Sequence, residues 1–79
     1  MNSRTPDEFI EAVLARADDL EEQGSRLEAL ELLQTIESSR DPVVLARIGV
    51  LLFELERWRE AEAALLDALK LDPELYTKV

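Results

Sequence analysis

The second half of the chain places small residues among large apolar ones at the spacing of helices. Gly49 in one predicted helix, and Ala61 and Ala68 in the next, would allow two antiparallel helices to approach closely. Larger apolar side chains are spaced to fill the seam between these helices, namely Ile48, Leu52 and Leu65. The chain is 47% hydrophobic but only 5% aromatic, with two glycines, which favours an all-α fold.

Cap residues predict where the first two helices begin and end. Residues 5–8 carry a threonine cap, a proline and a glutamate, which indicate the start of a first helix. That helix should stop near Gly24. Residues 25–28 offer a capping box for a second helix, and so short a turn makes the two helices antiparallel.

The boundaries in the second half are less evenly marked. After a predicted loop at residues 38–40, Asp41 and Pro42 give a cap-plus-proline signal that opens a third helix. Asp72 and Pro73 repeat this signal near the end, where a short helical turn is expected. Residues 55–59 contain no glycine or proline, so periodicity alone also suits one uninterrupted helix there.

The stretch from Leu45 to Pro73, with Ile48-Gly49 and Leu52 followed by Ala61, Leu65 and Ala68, resembles the tetratricopeptide repeat (TPR), a helix-turn-helix unit. The resemblance places a turn at about residues 56–58. It implies TPR-like antiparallel hairpins, about four helices in all, that form a short piece of an α-solenoid.

The first half carries a degenerate copy of the pattern, shifted by 32 residues. Five pairs are identical at this offset: Leu20 and Leu52, Glu22 and Glu54, Glu28 and Glu60, Ala29 and Ala61, and Leu33 and Leu65. Arg16 falls where the family usually has an apolar residue. We therefore expect a single domain over residues 1–79, with repeats at about 6–38 and 41–73 and an extension at 74–79.

Composition and charge argue against several classes of function. The 9 basic and 18 acidic residues give a net charge of −9, which disfavours nucleic acid and anionic membrane surfaces as partners. The chain has no histidine or cysteine, and its densest carboxylates, at residues 18–22, lack the loop and glycine of a calcium site. We therefore expect no enzyme activity, metal or cofactor, and, without an apolar leader or membrane span, a cytoplasmic protein.

The resemblance implies a partner-binding groove along the first helix of each repeat. The third helix is apolar nearly all round, so it should be buried on more than one side. The expected groove residues are Glu11, Leu14, Asp18, Glu21, Glu22, Val43, Ala46, Arg47, Val50, Phe53 and Glu54. Arg47 is the only cation among them, and the acidic end suggests a basic or amphipathic protein segment as partner. Trp58 is interpreted as a structural residue over the turn.

Self-association is the main alternative to an adaptor role. Four residues near the end of the chain could form an uncovered apolar edge that joins a homodimer: Leu66, Leu69, Leu75 and Tyr76. Two repeats are fewer than the roughly three that such arrays usually need, so a fragment or an engineered repeat protein is a further interpretation. A small enzyme or metal protein is the remaining rival.

Overall fold

The computed structural model describes residues 6–75, with side chains from residue 8 onward. Four α-helices follow one another: α1 at Pro6–Glu22, α2 at Arg26–Gln34, α3 at Pro42–Glu54 and α4 at Trp58–Leu71. A short 3₁₀ helix at Glu37–Ser39 lies between α2 and α3, and the described residues form no strand. The predicted all-α class with TPR-like hairpins is thus confirmed.

Two local predictions need correction. Ser25 stands at the N-terminal cap of α2, but its side chain makes no capping hydrogen bond, so the predicted capping box is not formed. Its backbone, at φ −96° and ψ 62°, is outside the extended region that a capping side chain requires. The expected loop at residues 38–40 is partly the 3₁₀ helix, which Arg40 ends in a left-handed conformation. The threonine cap expected at Thr5 lies outside the described residues.

A Schellman motif ends α1 and turns the chain into α2. The N–H of Gly24 donates to the carbonyl of Glu21 at 2.9 Å, and the N–H of Ser25 donates to the carbonyl of Leu20 at 2.8 Å. Gly24 has a φ of 82°, which glycine adopts without the steric cost of a side chain. The predicted stop near Gly24 is confirmed.

The turn from α3 to α4 repeats this motif 32 residues later, without glycine. The N–H of Glu56 donates to the carbonyl of Phe53 at 3.0 Å, and the N–H of Arg57 donates to the carbonyl of Leu52 at 2.8 Å. Glu56 has a φ of 65°, a left-handed conformation that costs a side-chain-bearing residue roughly 1–2 kcal/mol. The third and fourth helices are therefore separate, close to the predicted boundary.

The core lies between two packed hairpins. α1 packs against α2, while α3 packs against both α2 and α4. Asp41 caps α3 by accepting hydrogen bonds from the N–H groups of Val43 and Val44, at 2.9 and 3.3 Å. The largest fully buried side chains come from α2 and α3: Leu30, Leu33, Val44, Leu45, Ile48 and Leu51. α3 is thus the central helix of the described fold.

Gly49 allows α3 and α4 to cross closely. A Cβ atom added at Gly49 would lie 2.6 Å from Cγ of Leu65 and 3.3 Å from the carbonyl oxygen of Ala61. Ala61 itself is buried, as the pattern of small residues predicted. No side chain fits at position 49 unless Leu65 moves and the helices shift.

We expect Gly49→Leu to lower the free energy of unfolding by roughly 1–3 kcal/mol, because overpacking forces the two helices apart. Urea denaturation measures this change. As a control, Gly49→Ala should be less harmful in a Leu65→Ala background than in the original chain, since removal of Leu65 leaves room for the new methyl group. Unchanged stability in Gly49→Leu would contradict the close crossing.

Candidate functional site

α3 exposes an apolar surface on the side opposite the core. Val43, Val50 and Phe53 are all exposed, with 43% of Val50 and 57% of Phe53 accessible to solvent. The opposite side of the same helix is buried against α2 and α4. Core packing therefore explains only half of the apolar residues of α3, and the remainder form a candidate binding surface.

Two shallow grooves run beside this surface and meet at Val43. The first lies between α1 and the start of α3, has a volume of 340 Å³, and is lined by Ile10, Glu11, Leu14, Asp41 and Val43. The second follows α3, has a volume of 240 Å³, and is lined by Val43, Ala46, Arg47, Val50 and Leu75. The structure thus brings six of the expected groove residues together, namely Glu11, Leu14, Val43, Ala46, Arg47 and Val50.

Arg47 joins α3 to α1 by an ion-pair cluster. Its guanidinium donates two hydrogen bonds to the carboxylate of Asp18, and the one from Nη2 to Oδ2 measures 3.2 Å. Oε2 of Glu21 lies 3.7 Å from Nη1 of Arg47. The charge of Arg47 is therefore directed at two of the expected groove carboxylates.

The cluster affects its two carboxylates in opposite directions. The hydrogen bond from Arg47 lowers the pKa of Asp18, since it stabilises the ionised form. Burial raises the pKa of Glu21, and this effect outweighs the nearby positive charge of Arg47. Oε2 of Glu21 is buried and accepts no hydrogen bond from the described residues.

The other expected acidic residues lie away from the grooves. Glu54, at the end of α3, pairs with Nε of Arg26 at the start of α2, at 3.1 Å. Glu22 is exposed at the end of α1 and, like Glu11, forms no ion pair with another described residue. Glu11 and Glu22 therefore keep their charge available to a partner.

Phe53 and Trp58 form an exposed aromatic pair across the turn between α3 and α4. Their ring centroids are 4.9 Å apart in an edge-to-face arrangement, and 54% of Trp58 is accessible. Trp58 packs over the turn, yet most of its surface faces solvent, so the structural interpretation omits part of its environment. The spacing of five residues to Phe53 was the available signal, but it pairs the rings only if the helix ends between them.

The residues expected to form a self-association edge are not grouped in one place. Leu66 on α4 is 49% exposed, and Leu69 is partly buried. Leu75 lines the second groove beside α3. Tyr76 lies outside the described residues. Leu75 is therefore a groove residue that sequence reasoning assigned to a different surface.

Residues 42–75 match the family model described as tetratricopeptide repeat, a match that covers α3, α4 and the turn after them. No curated protein and no solved structure gave a significant match to the chain. No helix in residues 6–75 is both long and apolar enough to cross a membrane. Among the described side chains, no three acidic residues are grouped to hold a metal ion.

The opposite pKa shifts predict opposite effects of two substitutions on stability. Ionised Asp18 stabilises the fold above its ordinary pKa of 3.8, and this contribution is lost as pH falls through the lowered pKa. We expect Asp18→Asn to lower the free energy of unfolding at pH 7 by a few tenths to about 1 kcal/mol, with the difference vanishing in acid.

Glu21→Gln serves as the matched comparison. The pKa of Glu21 is raised above its ordinary 4.5, so its stabilising neutral form is present in acid and lost as pH rises through the raised value. The Gln variant should therefore gain stability relative to the original chain above that pH. Urea denaturation from pH 3 to pH 7, on the scale of about 4 pH units, compares the three proteins, and parallel pH profiles would contradict the cluster.

Proposed function

We propose, from the premise that the chain belongs to the tetratricopeptide repeat family through residues 42–75, that it is a protein-interaction module and not an enzyme. Repeats of this family generally mediate protein–protein interaction. The proposed role is that of an adaptor that binds a protein segment in the groove of its first helices. The cytoplasm is the proposed setting, with neither nucleic acid nor membrane as partner, in keeping with the net charge of −9.

The proposed domain organisation is one domain with two repeats, at about 6–38 and 41–73, and an extension at 74–79. The support is geometric: the turns at Gly24 and Glu56 have the same hydrogen bonds and left-handed conformation at an offset of 32 residues. Buried residues also correspond at this offset, as Ala29 does with Ala61 and Leu20 with Leu52. The first hairpin would then be a divergent repeat.

The exposed apolar side of α3 carries the proposal. A partner segment in the groove would remove Val50 and Phe53 from water, and full burial of such a side chain gains about 1.5–3 kcal/mol. About half of each side chain is already covered in the free chain, so the available gain is correspondingly smaller. These residues would be the main anchors, with the acidic residues orienting the partner.

The charges favour a basic or amphipathic segment. Asp18 and Glu21 are already engaged by Arg47, so Glu11 and Glu22 supply most of the charge that a basic flank would meet. The proposed groove set contains five carboxylates, of Glu11, Asp18, Glu21, Glu22 and Glu54, against one guanidinium, of Arg47. Its field remains negative after the internal pairing.

Self-association is the second candidate function. Leu66 is a large apolar residue exposed on α4, and Leu69 adjoins it at helical spacing. A homodimer joined at this end of the domain, with Leu75 and Tyr76 contributing, is the corresponding proposal.

We expect Phe53→Glu to abolish capture of the partner from a native lysate by the immobilised chain, because it places an unpaired charge at the centre of the apolar surface. Leu71→Glu is the matched control, since Leu71 is exposed at the far end of α4. Circular dichroism should show that both variants remain folded. A captured protein that both variants retain equally would overturn the assignment of this face.

We also expect a basic amphipathic peptide to bind more tightly than an acidic one of equal length, by a margin that shrinks as salt rises. The field of Glu11 and Glu22 is screened within about 8–10 Å at ordinary ionic strength. Fluorescence anisotropy at two salt concentrations measures this difference. Equal affinities at low salt would remove the electrostatic part of the proposal.

If the self-association proposal holds, sedimentation equilibrium should give a dimer mass that falls on dilution. Leu66→Glu and Leu69→Glu should shift the chain to monomer, because each buries a charge at the contact. A monomer mass across a wide concentration range, unchanged in both variants, would exclude the dimer.

A further inference from the structure

The contact between the two hairpins shows how a helix sits on the side of the preceding hairpin. α3 meets the first hairpin through two polar contacts, from Arg47 to Asp18 and Glu21 on α1, and from Glu54 to Arg26 on α2. Arg47 and Glu54 are seven residues apart, which places them on one side of α3, two helical turns apart. The positions at residues 18, 21 and 26 therefore define a helix-docking surface.

The same surface recurs on the second hairpin with a different chemistry. At an offset of 32 residues the docking positions are Val50, Phe53 and Trp58. All three are exposed, and the two aromatic rings are in contact. Where the first hairpin offers two carboxylates and a guanidinium, the second offers only apolar side chains. A helix that docks there must therefore present apolar residues.

Leu75 shows that the structure begins such a docking arrangement. Val43 lines the first groove against α1, and Leu75, 32 residues later, lines the second groove against α3. The local turn is similar as well: Oδ1 of Asp72 accepts from the N–H of Glu74 at 3.2 Å, as Oδ1 of Asp41 does from the N–H of Val43. Leu75 thus covers the end of α3 near Val43, and the described residues leave the rest of the surface open.

We infer that an amphipathic α-helix of a partner protein docks on Val50, Phe53 and Trp58, in the relation to α3 that α3 itself has to α1. Its apolar residues stand where α3 presents Arg47 and Glu54, seven residues apart. This inference rests on the proposed function and specifies it, because it gives the partner segment a helical form and an apolar contact face. It also makes Trp58 a partner-binding residue.

A second copy of the chain is a poorer occupant in end-to-end stacking. The side of α1 turned away from α3 carries Arg16 and Asp19, both exposed. Stacking that side on the next copy would bury these charges against Val50 and Phe53 without a partner. The polar and apolar ends of the molecule are therefore not complementary.

Fluorescence titration tests the inference, because Trp58 is the only tryptophan of the chain and lies on the proposed surface. The probe is a synthetic peptide of about 18 residues, long enough to form a helix, with leucines at helical spacing and lysine and glutamine elsewhere. The control peptide has the same residues with the leucines alternating along the sequence. Helix docking should shift Trp58 emission to shorter wavelength and favour the helical peptide by about tenfold or more.

Substitutions locate the contact. Val50→Glu should weaken binding of the helical peptide about tenfold, and Leu71→Glu should leave it unchanged. For the partner captured from lysate, Trp58→Glu should abolish capture as Phe53→Glu does. Circular dichroism establishes that each variant is folded.

The outcomes separate this inference from the proposed function. Equal affinity for the two peptides, binding of neither, or no shift in Trp58 emission overturns helix docking. If Phe53→Glu abolishes capture but Trp58→Glu does not, the groove function stands and the helix inference fails. If Phe53→Glu retains the partner, the proposed function fails as well. A dimer that buries Trp58 in the absence of peptide would show that a second copy occupies the surface.

Discussion

The close crossing of α3 and α4 at Gly49 determines what the rest of the chain presents to solvent. With no side chain at this position, Leu65 packs against the backbone of α3. That contact fixes which side of α3 faces α4, and α2 covers the adjacent side through Leu30 and Leu33. Because helical geometry distributes residues around the axis, Val43, Val50 and Phe53 must then lie on the opposite side. The candidate binding surface is a consequence of this packing.

The two hairpins differ in how firmly they are joined to their neighbours. Inside each hairpin the helices share apolar contacts, whereas on the groove side α1 and α3 meet through Arg47, Asp18 and Glu21. Half-exposed ion pairs of this kind contribute little free energy but depend strongly on geometry. They specify the angle between hairpins more than they hold them together. The groove therefore has a shape set by polar contacts and anchors that are apolar.

Much of the fold could be predicted from local signals. Asp41 and Pro42 marked the start of α3, and Gly24 marked the end of α1, because caps and left-handed turns act through residues adjacent in sequence. The boundary at Glu56 carried no such residue. Only resemblance to a family located it, since the turn is imposed by packing on both sides.

The candidate site was less predictable because its contacts are distant in sequence. The stripe along α3 indicated Val43 and Val50, and the structure lines the groove with both. The pairing of Arg47 with Asp18 spans 29 residues, and no local pattern reports it. Leu75 was assigned to another surface for the same reason, because its place depends on how α4 directs the chain back to α3.

The central position of α3 also has a consequence for how the molecule opens. α3 packs between α2 and α4, whereas α1 rests mainly on α2. Local unfolding begins where few apolar contacts must be broken, so α1 can detach while the α3–α4 pair stays intact. Amide hydrogens of α1 then exchange with solvent through partial opening, whereas those in the middle of α3 exchange only when the whole domain unfolds. The helix that carries the exposed apolar surface is thus also the most persistent part of the fold.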